Sequence, residues 1–150
     1  MQLTQHTDFG LRLLIVLARK DGAVSLPAFS AEQGLSYHHV AKVAQALVQA
    51  GFAISQRGRS GGIALARPAG EIAVGDVVRT LEKGLRLVDC ASCALRAECG
   101  LSGVLAEALD AFMGVLDRYT LADVAGAGAT AFAPWAALPP APACAATEPS

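Results

Sequence analysis

Apolar residues recur at helical spacing near the start of the chain and predict a helix over residues 7–20. Its apolar positions are Leu11, Leu14, Ile15 and Ala18, with Leu13, Val16 and Leu17 on the other side. A helix that is apolar nearly all round is expected to pack against partners on both sides. Thr7 or Asp8 is expected to cap it, because an acid in the first turn suits the helix dipole.

Two short helices with a tight turn between them are predicted next. Ser25 is expected to begin the first, with Pro27 in its first turn, and Gly34 to end it in the left-handed conformation. The second follows Ser36 and stops before Gly51. Its apolar residues share one face and are Val40, Val43, Leu47 and Val48. Two short helices joined in this way form a helix-turn-helix.

The opposite face of the second helix carries polar side chains of the kind that read base edges in the major groove. They are Tyr37, His38, His39, Lys42, Gln45 and Gln49. Taken alone, this pattern fits an ordinary solvated face better than a DNA-binding one. The hairpin that follows shifts the interpretation towards DNA.

Residues 52–67 alternate in the manner of a β-hairpin, with Ile54, Ile63 and Leu65 expected to point into the core. The tip reads Arg57-Gly58-Arg59-Ser60-Gly61-Gly62. Its glycines permit a tight turn, and its two arginines could reach phosphates or a narrow minor groove. A basic hairpin after a helix-turn-helix is the wing of a winged helix. It is not a nucleotide-binding loop, because no Gly-Lys-Ser/Thr follows.

A short helix is predicted over residues 74–82, a loop over 84–99 and a long helix over 101–119. The long helix has one broad apolar stripe, formed by Leu101, Leu105, Ala108, Leu109, Phe112, Met113 and Leu116. Such a stripe needs a surface to cover it. A second copy of the chain would give a homodimer able to read a palindromic site. The alternative is that the helix folds back on its own domain.

Charge and composition divide the chain further. Residues 1–67 hold seven basic and three acidic groups, as a polyanion-binding surface requires. Residues 125–150 hold eleven alanines and five prolines and are expected to be a disordered tail. No apolar run is long enough for a membrane helix, and the first residues do not resemble a signal peptide. We therefore expect a cytoplasmic protein without a membrane partner.

The predicted fold is mainly α with a small β-hairpin wing. It consists of a winged helix-turn-helix DNA-binding domain over residues 1–83 and a cysteine loop over residues 84–100. A dimerisation helix over residues 101–124 and the tail over residues 125–150 follow.

Three of the four cysteines, Cys90, Cys93 and Cys99, lie within ten residues in a C-x2-C-x5-C spacing. Closely spaced thiolates bind zinc or iron–sulfur clusters. No histidine lies nearby to complete a structural zinc site, which favours a labile cluster. Two alternatives remain, a thiol switch without metal and a small electron-transfer protein. No nucleophile lies beside a base, so an enzyme is not expected. Asp76 and Glu82 are interpreted as helix-surface acids.

Several separate stretches of residues 1–124 resemble the iron–sulfur winged-helix repressors of the NsrR type. They are Met1-Gln2-Leu3-Thr4, Thr7-Asp8-Phe9-Gly10-Leu11-Arg12, Arg57-Gly58-Arg59-Ser60-Gly61-Gly62-Ile63-Ala64-Leu65-Ala66-Arg67-Pro68-Ala69, Gly75-Asp76-Val77-Val78-Arg79-Thr80-Leu81-Glu82 and Tyr119-Thr120-Leu121-Ala122-Asp123. The resemblance implies a homodimeric repressor that binds operator DNA while its 4Fe–4S cluster is intact and releases the DNA when nitric oxide attacks the cluster. It also implies that Cys90, Cys93 and Cys99 are cluster ligands, with Asp8 of the partner subunit as the fourth.

The cysteine spacing departs from this type, which usually has about five residues between its first two cysteines where this chain has two. A 2Fe–2S cluster and an iron- or redox-responsive regulator of the same fold, such as the RirA type, therefore stay open. The IscR type has a histidine ligand after the third cysteine. No histidine follows Cys99, which argues against that type. The residues expected to contact DNA are Ser36, Tyr37, His38 and Lys42 on the second helix, and Arg57, Arg59 and Ser60 on the wing.

Overall fold

The computed structural model of the chain describes residues 2–58 and 61–126. Six α-helices, one 3-10 helix and two strands occur in these residues. They are, in chain order, α1 (Gln5–Arg19), α2 (Leu26–Gln33), α3 (Tyr37–Gln49), β1 (Ala53–Gln56), β2 (Gly62–Leu65), the 3-10 helix (Ala69–Glu71), α4 (Val74–Leu81), α5 (Leu101–Asp117) and α6 (Leu121–Gly126). None of these helices is long and apolar enough to cross a membrane.

Helix α1 begins two residues earlier than predicted, because Thr4 is its N-cap. The Thr4 hydroxyl accepts a hydrogen bond from the backbone N–H of Thr7 at 3.4 Å. Thr7 is therefore inside the helix and buried, and the prediction that Thr7 or Asp8 caps it is wrong. The core side of α1 centres on Leu13, Leu14 and Leu17.

The helix-turn-helix is confirmed. Ser25 and Ser36 occupy the N-cap positions of α2 and α3, and Gly34 ends α2 with φ at 64°. Neither serine uses its side chain to cap, so the Ser36 hydroxyl makes no hydrogen bond to its helix. The buried face of α3, formed by Val40, Val43, Ala44 and Leu47, packs in the same core as α1.

The wing is an antiparallel pair of strands in which Ala53 pairs with Leu65 and Ile54 with Ala64. Ala53 and Ile63 are buried, whereas Ile54 is 45% exposed, so the prediction that Ile54 points into the core is wrong. Alternation along β1 places the neighbouring Ala53 on the core side instead. A bridge to Val24 extends the pair, with hydrogen bonds of 2.8 and 2.9 Å to Ile63.

The last part of the chain differs most from expectation. The long helix ends at Asp117, and a second helix, α6, follows where one helix to residue 119 was predicted. Leu121 is fully buried, and its backbone N–H donates to the Ile72 carbonyl at 2.9 Å. Helix α6 therefore returns to the winged-helix core and lies against α1. It includes the first two residues of the predicted tail, whose remainder lies outside the described residues.

Candidate DNA-binding face and cysteine loop

The side chains predicted to read DNA lie together at the start of α3. Ser36, Tyr37, His38 and Lys42 are all exposed, while the opposite face of the helix is buried. None of them makes an intramolecular ion pair or side-chain hydrogen bond among the residues that the structure describes. Their hydrogen-bonding groups are therefore available to an external partner. The structure leaves these four residues exposed at the start of α3, and their contact with DNA stays a prediction.

One of the wing residues predicted to contact DNA lies within the described residues. Arg57 is exposed at the end of β1, and Gly58 follows with φ at 116°. The backbone N–H of Gly61 donates to the Gly58 carbonyl at 3.0 Å and closes the turn. A Cβ at Gly61 would lie 2.7 Å from the Gln56 carbonyl oxygen, so the turn requires a glycine there. Arg59 and Ser60 lie outside the described residues.

The cysteine loop, residues 84–100, contains no helix or strand. Its backbone is held by successive turns, with N–H to carbonyl distances of 3.4 Å from Cys93 to Cys90 and 3.2 Å from Arg96 to Cys93. The Asp89 carboxylate accepts from the backbone N–H of Ala91 at 3.2 Å. A loop held only by short turns can change conformation without breaking a strand or helix.

All three loop thiols are free, with Cys90 and Cys99 half-buried and Cys93 exposed. Cys90 lines a cavity of about 180 Å³ between the loop and Leu105 and Leu109 of α5. Within residues 2–58 and 61–126, no three His, Cys, Asp or Glu side chains are grouped closely enough to hold a metal. The loop thus supplies thiol donors suited to an iron–sulfur cluster, but in this conformation it does not gather them.

Asp8 lies half-buried in the first turn of α1, and it does not line the cavity that Cys90 borders. Its carboxylate forms a two-point ion pair with Arg12, at 3.0 and 2.7 Å. It borders an open cavity of about 620 Å³ beside the N-terminal segment and Leu35. No cysteine lines that cavity, so one chain does not bring Asp8 and the loop into one site.

Glu82 is the functional candidate that the sequence interpretation missed. It is 9% exposed, and one carboxylate oxygen accepts hydrogen bonds from the Thr4 N–H at 2.9 Å, the Thr4 hydroxyl at 3.0 Å and the Thr7 hydroxyl at 2.6 Å. Burial raises the pKa of Glu82, but these hydrogen bonds outweigh it and hold the pKa below its ordinary value. The interpretation as a surface acid is therefore wrong. Its position four residues after Val78, on the buried face of α4, was the available signal.

Glu82 connects two parts of the candidate site. It lies two residues before the cysteine loop, and it completes the cap of the helix that carries Asp8. In a capping box the third helical residue supplies the carboxylate; here that residue is Thr7, and the carboxylate comes from the end of α4.

The apolar stripe of helix α5 is only partly covered, because four of its residues are half-buried and two are exposed. The half-buried residues are Leu105, Leu109, Phe112 and Leu116, and the exposed ones are Leu101 and Ala108. Leu101 is 58% and Val104 62% exposed, and Met113 is the one buried side chain of the helix. At its C-terminal end, Asp117 forms a two-point ion pair with Arg79 of α4, at 2.6 and 2.5 Å. The helix is therefore fixed at one end and exposed along the other, as a helix that packs against a second copy would be.

The helix-turn-helix, the two-stranded wing and the projecting helix define a winged-helix regulator. The chain belongs to the Rrf2 family, described as iron-dependent transcriptional regulators, whose match covers residues 3–127. It is 43% identical over 131 residues to the HTH-type transcriptional regulator NsrR of Halalkalibacterium halodurans, a match that covers 83% of this chain and 90% of the relative. This confirms the resemblance found in the sequence and the prediction of a regulator rather than an enzyme.

Solved structures agree with this assignment. CymR, the global cysteine regulator of B. subtilis, superposes with a TM-score of 0.70 at 31% identity, covering 83% of this chain and 96% of that chain. IscR of T. potens superposes with a TM-score of 0.69 at 30% identity, covering 83% and 85% of the two chains. The predicted fold class, mainly α with a small wing, is thereby confirmed.

Proposed function

We propose that this chain is a nitric-oxide-sensing repressor that acts in the cytoplasm. It would bind operator DNA as a homodimer while an iron–sulfur cluster is held at its cysteine loop. The observation that carries the proposal is the set of three free thiols in one short loop, attached through Glu82 to the winged helix. The 43% identity to a regulator named NsrR supports the choice of signal.

The DNA contacts are proposed for the exposed face of α3 and for the wing. Ser36, Tyr37, His38 and Lys42 would lie in the major groove, since their side chains point away from the core. Arg57 would act on phosphates or the minor groove, and Arg59 and Ser60 complete this proposed set. The excess of basic over acidic groups in residues 1–67 favours the same polyanionic partner.

The cysteine loop is the proposed cluster site. Cys90, Cys93 and Cys99 would supply three thiolate ligands, and a 4Fe–4S cluster is proposed, with 2Fe–2S as the alternative. When bound, such a cluster supplies the iron that nitric oxide attacks. The protein's part is to hold the thiolates on a segment whose start is fixed by Glu82 and whose end leads directly into α5.

Asp8 of the partner subunit is proposed as the fourth ligand. Its carboxylate is 43% exposed, and within one chain it is not grouped with the loop thiols, so a second copy would bring the two together. A carboxylate is a harder and more exchangeable ligand than a thiolate, which suits a site that must react. Arg12 would have to share or release this carboxylate, because the two form an ion pair here.

An iron- or redox-responsive regulator of the same fold is the second candidate. The observation that favours it is the spacing of two residues between Cys90 and Cys93. A structural relative, CymR, is named the global cysteine regulator of B. subtilis, so the fold also occurs in a regulator whose name does not point to nitric oxide. This candidate would be supported if exposure to oxygen or chelation of iron abolished DNA binding while nitric oxide left DNA binding unchanged.

Iron and sulfide analysis of protein purified without oxygen tests the proposed cofactor. We expect about four iron and four sulfide per chain, and their loss in Cys93→Ser. Cys144→Ser is the matched control, because it removes a thiol outside the loop and should leave the iron content unchanged. Zinc alone, or no metal, would contradict the cluster proposal and leave the thiol switch. Absence of any DNA affinity at low salt would instead favour an electron-transfer protein.

A further inference from the structure

Helix α5 is attached to the winged helix at several points near its C-terminal end. The Arg79 guanidinium donates two hydrogen bonds to the Asp117 carboxylate, joining α4 to α5. Just beyond α5, the backbone N–H of Val74 donates to the Tyr119 carbonyl at 2.9 Å. Attachments at separate positions along the chain fix a direction as well as a location.

Gly75 makes this arrangement specific. A Cβ at position 75 would lie 1.9 Å from one Asp117 carboxylate oxygen and 3.1 Å from an Arg79 nitrogen. The Asp117 carboxylate therefore lies directly over the first turn of α4, where any side chain other than hydrogen would displace it. The close approach and the two-point geometry together hold the end of α5 in one position.

Helix α4 is in turn fixed relative to the recognition helix α3. Gly10 of α1 lies between them, since a Cβ there would be 2.3 Å from the Leu81 side chain of α4 and 3.5 Å from the Val43 side chain of α3. Val43 and Leu81 belong to the same buried core. Close packing thus fixes the orientation of α4 relative to α3. The Arg79–Asp117 pair in turn fixes the orientation of α5 relative to α4.

We propose that the Arg79–Asp117 pair, seated over Gly75, is the joint that sets the angle between the recognition helix and α5. Through this angle it selects the half-site spacing that the homodimer accepts. The inference rests on the proposed function, in which α5 forms the dimer and α3 reads DNA. Arg79 and Asp117 are positioning residues here and make no contact with DNA themselves.

The geometry explains why a small change at this joint matters. Helix α5 has 17 residues and is therefore about 25 Å long. A rotation of about 10° at one end of a rod of that length moves the other end by about 4 Å, close to the rise of one base pair. A loosened joint should therefore let the dimer accept sites that differ by one base pair in spacing.

The test uses anaerobically purified wild-type protein to select its preferred duplex from random DNA. Dissociation constants are then measured for that duplex and for versions with one base pair added or removed between the half-sites. Asp117→Asn keeps the shape of the side chain, and Arg79→Lys keeps the charge but not the two-point geometry. Asp76→Asn is the matched control, because Asp76 also contacts Arg79, at 3.5 Å, but does not belong to α5.

We expect the wild type and Asp76→Asn to bind the altered duplexes about tenfold more weakly than the preferred one. In Asp117→Asn and Arg79→Lys this penalty should fall below about threefold. The exchange Arg79→Glu with Asp117→Arg should restore part of it. A variant that is merely less stable would lose affinity for all three duplexes in equal proportion, and that result overturns the proposal.

If the folded Arg79→Lys and Asp117→Asn proteins still bind the altered duplexes about tenfold more weakly than the preferred one, the proposed role of the Arg79–Asp117 pair is wrong. The proposed function is not affected by that result. If the wild type selects no duplex, or shows no preferred spacing, the homodimeric operator-binding function itself fails. The joint then fails with it, so the two failures are distinguished by the wild-type measurement.

Discussion

Replacement of Glu82 should destabilise the fold through three hydrogen bonds that converge on one oxygen. Glu82→Ala removes the carboxylate to which the fully buried Thr7 hydroxyl donates, and only the Thr4 hydroxyl, 3.2 Å away, remains as its partner. Loss of a hydrogen bond to a charged group costs about 1.5–3 kcal/mol. The Thr4 N–H and hydroxyl are only partly buried, so solvent can replace part of what they lose. We therefore expect Glu82→Ala to lower the free energy of unfolding by roughly 3 kcal/mol.

Glu82→Gln separates the charge from the hydrogen bonds. A glutamine oxygen can accept the same three bonds, but bonds to a neutral acceptor are about half as strong, so we expect a loss of about 1–1.5 kcal/mol. Because the pKa of Glu82 lies below its ordinary value of 4.5, the stabilisation is present above that value. It is lost as the pH falls through the lowered pKa.

Urea unfolding of the cluster-free protein, at one protein concentration and at several pH values, measures both effects. The difference in unfolding free energy between wild type and Glu82→Gln should be full at neutral pH and should narrow as the pH falls below the ordinary value of 4.5 and through the lowered pKa. Glu71→Gln, which changes an exposed acid on the 3-10 helix, is the control and should change little. If Glu82→Ala unfolds within about 0.5 kcal/mol of the wild type, the inferred role of this network is wrong.

Three further predictions concern the DNA-binding face, the α1–α4 contact and α5. Arg57→Ala should weaken DNA binding on all sequences and reduce the salt slope of the binding constant by about 1, and an unchanged slope would remove Arg57 from the interface. Gly10→Ala should destabilise by about 1–3 kcal/mol in thermal unfolding, because its methyl group would lie 2.3 Å from Leu81, whereas Gly103→Ala meets nothing and should be neutral or slightly stabilising. Val104→Asp should raise the dimer dissociation constant in sedimentation experiments at least about tenfold, and an unaffected dimer would place the interface elsewhere.

The helix-turn-helix was predictable because its signals are local. Pro27 and Gly34 each favour one backbone conformation, and Gly34 adopts the left-handed conformation that its position requires. The apolar face of α3 follows helical periodicity: Val40, Val43 and Leu47 are buried as predicted, whereas Val48 is half-buried. The hairpin was also found, but the direction of Ile54 was not, because either neighbour in an alternating strand can face the core.

What could not be predicted depends on contacts between distant residues. Glu82 reaches Thr7 across 75 positions, and Arg79 reaches Asp117 across 38. A carboxylate on a helix has the same sequence pattern whether it faces solvent or a second helix. The break between α5 and α6 was not predicted for a similar reason. It depends on the Thr120–Asp123 cap and on the bridge to Ala73, not on a proline or glycine at that place.

The assignment of the cysteine loop depends on chemistry that spacing alone suggests but does not determine. Three thiols in ten residues indicated a metal or redox role, and they are free and accessible, with two half-buried. Only the family resemblance indicated that Asp8 of the partner subunit is the fourth cluster ligand. Within one chain, Asp8 is simply an acid that forms an ion pair with Arg12. The two subunits would have to meet before the proposed site is complete.

The most direct test of whether a nitric-oxide-sensitive cluster controls repression is the DNA affinity of one anaerobic sample before and after exposure to nitric oxide. The duplex is the one selected by the wild-type protein, and Cys93→Ser is measured beside it. If the cluster controls DNA binding, nitric oxide should weaken binding by about 10–100-fold, to the level of the variant, at constant salt. Equal affinity before and after, with iron present and the variant binding as well as the wild type, would contradict it.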